Sequence, residues 1–181
     1  MVNLLGSALI LLFLILFSNC LRFYLAVNLL SEELENQRYG CFFLRNVFVG
    51  VNSVRGLDGG EVHSKGLPVK RLTDAIEMTI ANENQIKKVI LYVGQSPLNP
   101  LNSSLFMKQQ GKPRIETIAK IVDMRALYGL KCAKSQNVCG YVGFSSGIDW
   151  SQVISLKLTL FSKDNLIAKP WSVYIAIKKK H

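Results

Sequence analysis

Gly143-Phe144-Ser145-Ser146-Gly147 has the G-x-S-x-G spacing of a serine nucleophile carried on a sharp turn. That chemistry needs a strand ending at the serine, a helix starting after it, and an acid and a histidine in order further along the chain. The one histidine downstream is His181, the last residue, behind Lys178, Lys179 and Lys180, and Gly147 leads through Ile148-Asp149-Trp150 into a strand pattern. A Gly/Ser turn between strands accounts for the motif better than a hydrolase does. Gly56-Leu57-Asp58-Gly59-Gly60-Glu61 has the glycines of a phosphate loop without the Gly-Lys-Ser/Thr ending, and reads as a tight turn. His63, between Glu61 and Lys65, reads as a solvated loop residue. Two histidines, and four cysteines with no Cys-x-x-Cys pair, argue against a zinc-protease helix, a zinc ribbon and a thioredoxin-like site. No enzyme activity, metal or cofactor is expected.

What remains for the cysteines is a disulfide. Cys132 and Cys139 flank a polar loop that includes Lys134 and Asn137, with Lys131 just before it. In an oxidising compartment they would bridge and restrain the unfolded chain by roughly 2–3 kcal/mol; the alternative is two free thiols. Cys20 falls at the end of an apolar run, and Cys41 lies on a helix pattern where it is expected to pack. The basic residues (Lys87/Lys88, Lys112/Arg114, Lys131/Lys134 and the closing lysines) are scattered without interleaved aromatics, so a nucleic-acid platform has only weak support.

These residues sit in a chain of 181, one ordinary domain plus one extra element. At 49% hydrophobic and 19% charged it is too apolar for a disordered chain, and its net charge of +10 would suit an anionic partner. The apolar excess is at the front: Met1 to Leu21 carries no charged side chain. About 20 residues of helix cross a bilayer core of ~30 Å, and Arg22 with Tyr24 would suit the interface. No basic residue precedes the run and no small-x-small site follows, so a retained anchor is favoured over a cleaved signal. Leu21, Leu25, Leu29, Leu30 and Leu34, with Ser31, Glu32, Glu33, Glu35 and Asn36 between, continue as an amphipathic helix. Phe42, Phe43, Leu44, Val47 and Phe48 form a denser stripe that needs cover. The reading is one helix from about residue 4 to about 48, with 4–22 in lipid, the remainder packed on a head, and a candidate bend at Gly40.

Beyond the helix, residues 50–68 read as loop with short strands at most. Ile76/Met78/Ile80, Val89–Val93, Ile154/Leu156/Leu158/Leu160 and Trp171/Val173/Ile175/Ile177 carry strand patterns, the first, third and fourth with the two-residue period. Ser104–Lys108 and Met124–Tyr128 are weaker candidates. The fold class expected is α+β: a long N-terminal apolar helix, 1–48, packed on an antiparallel β-sheet head, 49–181.

Two stretches resemble a known family. Leu34-Glu35-Asn36-Gln37-Arg38-Tyr39-Gly40, continuing through Phe43-Leu44 to Arg45-Asn46, is similar to the helix segment of PilW-type minor pilins of type IV pilus assembly, relatives of the J-type pseudopilin. Ile121-Val122-Asp123-Met124-Arg125-Ala126-Leu127-Tyr128-Gly129, followed by Asp149-Trp150 and the strand after it, resembles that family's later motifs. With the Tyr174–Ile177 strand, the resemblance covers most of residues 20–181. It implies a pilin-like, non-enzymatic assembly subunit held in the inner membrane by one span, head in the periplasm, with incorporation in the pilus an option. Its partners would be other minor and major pilins, inner-membrane assembly proteins and the lipid bilayer. Leu9, Leu12 and Leu16 would pack on other pilin helices, and Glu32, Glu33, Glu35 and Arg38 would set register. The family opens with a basic leader ending in Gly, then Phe and an acidic residue. Here Ser7 follows Gly6 and Ile10 stands at the acidic position, so a shortened start or an upstream initiation codon is expected. Two alternatives stay open: a membrane-tethered periplasmic domain binding an anionic surface or DNA, and a truncated relic that no longer assembles.

Overall fold

The computed structural model describes residues 2–70, 72–82, 85–97, 99–133, 135, 137–145, 147–163 and 170–178, with backbone only at 2–9, 33, 59, 82 and 85. The chain divides into two compact units, residues 1–36 and 37–181. Helix α1, Val2–Val47, supplies the described residues of the first unit and the start of the second. Its leucine-rich sequence favours helix, and no proline interrupts it. It is long and apolar enough to cross a membrane, and its described side chains from Ile10 to Leu30 are exposed. Gly50, in the left-handed region at φ 82°, ends the helical path.

The second unit contains two antiparallel sheets where one was expected. The first is formed by β1 (Val51–Gly56), β2 (Ala75–Asn82), β3 (Gln85–Gln95), β4 (Ser103–Gln109) and β5 (Arg114–Ile118), in that spatial order. The second comprises β6 (Ile121–Lys131), β7 (Val138–Val142), β8 (Val153–Ser162) and β9 (Trp171–Ala176), ordered β7-β6-β8-β9. The chain changes sheets at Ala119-Lys120, where Lys120 adopts φ 60°. Alternation reads the same whether successive strands share a sheet or not, which is why the sequence does not count sheets.

One core joins both inner faces. Ile76, Met78, Leu91 and Leu105 from the first sheet meet Met124, Leu156, Leu158 and Leu160 from the second, together with Leu44 from the end of α1 and Phe48 from the turn after it. The apolar stripe at the end of α1 and the turn after it is therefore covered in part: Leu44 and Phe48 are buried and Phe43 packs on the core, but Phe42 is 68% exposed. Consecutive helical positions point about 100° apart, so one face cannot take all of them. Cys41 also packs against this core. Gly40 needs another explanation than a bend, because α1 continues through it. A Cβ there would lie 2.6 Å from Trp171 Cη2, so the missing side chain is what lets β9 approach the helix.

Residues 50–68 are more ordered than expected. β1 escapes the alternation test because a bulge between Val51 and Ser53 shifts the register, leaving Val51 and Val54 both inward. The expected turn at 56–61 begins a short helix, α2 (Gly59–Ser64), with a capping box: Asp58 Oδ1 accepts from Glu61 N at 2.7 Å, and Glu61 reaches back to Asp58 N. His63 is on this helix, exposed, and not in a loop. Of the weaker candidates, Met124–Tyr128 lies within β6, an inner strand of its sheet, and Ser104–Lys108 within β4.

Candidate functional site

The segment carrying Ser145 leaves β7 and leads through a three-residue 3-10 turn (Trp150–Gln152) into β8, so a strand follows where a nucleophile elbow has a helix. Ser146 and His181 lie outside the described residues. The segment has a packing role. Phe144 stacks on Trp150 at 6.1 Å and fills the space beside Gly56, where a Cβ would meet its ring at 2.3 Å. Asp149 Oδ1 caps the 3-10 turn through Ser151 N and Oγ, and Trp150 meets the Tyr128 ring edge-on at 4.9 Å. Tyr128 is fully buried, and its hydroxyl has no hydrogen-bond partner among the described residues. Burial, helped by the charge of Asp74, pushes its phenol far above the ordinary range.

The other motif residues are largely local. Asp123 accepts from Met124 N at 2.8 Å and Arg125 Nε at 2.9 Å. Gly129 leaves room for Tyr141, Val138 and Ser155 on the strands either side. Tyr39 stacks on Phe43 at 6.2 Å while staying 58% exposed, and Asn36 is half-buried. Glu32, Glu35 and Arg38 occupy exposed positions of α1, as do Leu12 and Leu16; the side chains of Leu9 and Glu33 lie outside the described set. Cys132 and Cys139 are bonded, with Cα atoms 5.0 Å apart, and tie the β6–β7 hairpin near its loop. Cys20 is exposed on α1. No group of three metal-ligating side chains occurs among the described residues.

The polar cluster that sequence reasoning missed is on the outer face of the first sheet. Register places Arg55 opposite Glu77, Glu77 opposite Ile90, Ile90 opposite Lys108, and Lys108 opposite Arg114, one row across all five strands. Glu77, although at an expected outward position, is only 8% exposed. It accepts from Arg55 Nε at 3.0 Å and from Lys65, while Arg55 Nη1 also bonds Glu61 at 2.8 Å. Burial alone would raise the Glu77 carboxyl, but the hydrogen bonds from Lys65 and Arg55 and their charges outweigh it and hold it below the usual range. Burial alone would lower the Arg55 guanidinium, but the hydrogen bonds and charges of Glu77 and Glu61 outweigh it and raise it above its ordinary value. Beside this cluster lies an open groove of about 340 Å³ lined by Lys65, Lys88, Ile90, Lys108 and Gln110 among others. Only one cue in the sequence points here, the Asp58-x-x-Glu61 cap that fixes Glu61.

No family model, curated protein or solved structure matches this chain.

Proposed function

We propose that this chain is a minor pilin of the PilW type, a non-enzymatic subunit that helps prime or cap a type IV pilus through helix–helix packing. The observation that carries the reading is α1. Its described apolar side chains from Ile10 to Leu30 are exposed, whereas its last turns supply Leu44 to the core of the β-rich unit. Exposed leucines in such number require lipid or other helices around them. Lipid would hold the first part in the inner membrane, and neighbouring pilin helices would pack on Leu9, Leu12 and Leu16. Glu32, Glu33, Glu35 and Arg38 would set the register between subunits by paired charges. A periplasmic position for the β-rich unit agrees with the Cys132–Cys139 bond, since disulfides persist in oxidising compartments.

The test is to crosslink intact cells, solubilise the membranes, recover this protein and identify its partners by mass spectrometry. Recovery of other pilins or inner-membrane assembly proteins is expected. An abundant, membrane-bound protein that brings down none of them would overturn the assembly role.

A further inference from the structure

The outer face of the first sheet is neutralised on one side only. Its described carboxylates are already occupied: Glu77 by Arg55 and Lys65, Glu61 by Arg55, and Glu116 by the hydroxyls of Ser96 and Ser104 at 2.9 and 2.7 Å. Lys88, Lys108 and Lys112 have no ion-pair partner among the described residues. Arg114 lies over the Phe106 ring, 4.8 Å from its centroid. Register makes this arrangement unfavourable for the fold alone. Lys108 stands directly opposite Arg114, a like-charge pair that destabilises an antiparallel sheet. Lys88 is diagonal to Lys108, because Lys108 pairs with Ile90 two positions further along the same strand. Diagonal neighbours start about 7 Å apart at their Cα atoms, within reach of two lysine side chains converging on one small anion.

Space is present where the charges converge. Lys88 and Lys108 line the groove of about 340 Å³ together with the turn residues Gln110 and Gly111 and with Glu77, whose charge is already met by Arg55 and Lys65. A second hollow, lined by Lys108, Lys112 and Arg114, adjoins it through the shared Lys108. Such a site needs compact negative charge with several acceptor oxygens, because ammonium groups bind as point charges and the flanking amides donate. Aromatic stacking is not offered: Tyr92 and Phe106 are buried against each other, with centroids 5.7 Å apart. We infer that this groove binds a phosphate-type oxyanion with two or more negative charges, held by Lys88 and Lys108 with Lys112 and Arg114 beside them. The phosphate has two available sources, a soluble phosphate compound or a phospholipid headgroup.

The experiment uses the full chain in phosphatidylcholine nanodiscs, titrated with inorganic pyrophosphate by calorimetry at low salt. Binding is expected, weakened by about tenfold for each of Lys88→Gln and Lys108→Gln, since each removes a charge-assisted contact. Lys157→Gln, on the second sheet, is the control and should bind as the parent does. Repeating the titration in discs that also contain phosphatidylglycerol separates the sources: a loss of pyrophosphate affinity that the double lysine variant does not share assigns the groove to lipid headgroups, and unchanged affinity assigns it to a soluble phosphate. Lys108→Gln should also keep or raise the thermal midpoint, because it relieves the pair with Arg114. No binding in either disc, or equal binding by the double variant, would overturn the inference while leaving the assembly role untouched.

Discussion

Gly40→Ala sets two effects of opposite sign against each other. Within a helix, alanine is favoured over glycine by about 1 kcal/mol. At this position the added Cβ would lie 2.6 Å from Trp171 Cη2, 3.0 Å from Trp171 Cζ2 and 2.9 Å from Ile118 Cδ1. Carbon atoms pack best at about 3.5–4.0 Å, so the neighbours must give way by about 1 Å. Ile118 Cδ1 ends a flexible side chain and can turn aside. The indole is a rigid plane whose backbone is held in β9 by pairing with β8. An extra methyl in a packed site costs about 1–3 kcal/mol, so the net expectation is a loss of about 1 kcal/mol after the helix gain is subtracted. The assay is urea unfolding of the full chain in non-ionic detergent, followed by the fluorescence of Trp150 and Trp171. A cycle with Trp171→Leu isolates the clash, because alanine at position 40 should become neutral or stabilising in that background. A Gly40→Ala protein as stable as its parent, or a penalty that survives removal of the indole, would refute the steric account.

Glu77→Gln should lower stability at neutral pH by about 2–3 kcal/mol, since Arg55 and Lys65 lose a shared, nearly buried charge. The Glu77 carboxyl is held below its unfolded value, so its contribution is present above about pH 4.5 and is lost as pH falls through the folded value. Denaturation midpoints of parent and variant measured from pH 7 to 3 should therefore converge at the acid end, and a gap that widens would contradict the assignment. Replacing both Cys132 and Cys139 by serine should cost roughly 2–3 kcal/mol by the loop-entropy estimate for so short a loop; addition of a reductant to the parent should match the double variant in the same unfolding assay. Tyr128→Phe removes a buried hydroxyl that has no partner among the described residues. It should leave stability unchanged or raise it by up to about 1 kcal/mol, and a clear loss would mean that the hydroxyl is engaged.

The sequence revealed what repeats and concealed what depends on register. β8 was legible because Ile154 to Leu160 alternates strictly with polar residues, and the apolar course of α1 was legible because nothing charged interrupts the chain before Arg22. β1 was hidden by its bulge, which puts Val51 and Val54 on one side three positions apart. α2 was hidden because six residues are too few for helical periodicity to register, and only its cap announces it. Cys132 and Cys139 could be paired on paper from a short polar loop. The basic groove could not be found that way. Lys65, Lys88 and Lys108 are each about twenty positions from the next, and only the pairing of β3 with β4 and the return of the α2 segment over β2 bring them together.

The strand order of the first sheet has a kinetic consequence. It runs β1-β2-β3-β4-β5, the same order in space as along the chain. Every pairing in it joins sequence neighbours, so loop closure costs little, and a short hairpin such as β4–β5 can close within about 1–10 µs. A chain emerging from its N-terminal end can add one strand at a time to a growing edge, with no need to reserve a place for a later arrival. The second sheet works differently: β6 sits between β7 and β8, so β8 must pass the finished β6–β7 hairpin to reach the far edge. If strands add in chain order, Leu156, Leu158 and Leu160 dock against a first sheet that is already paired.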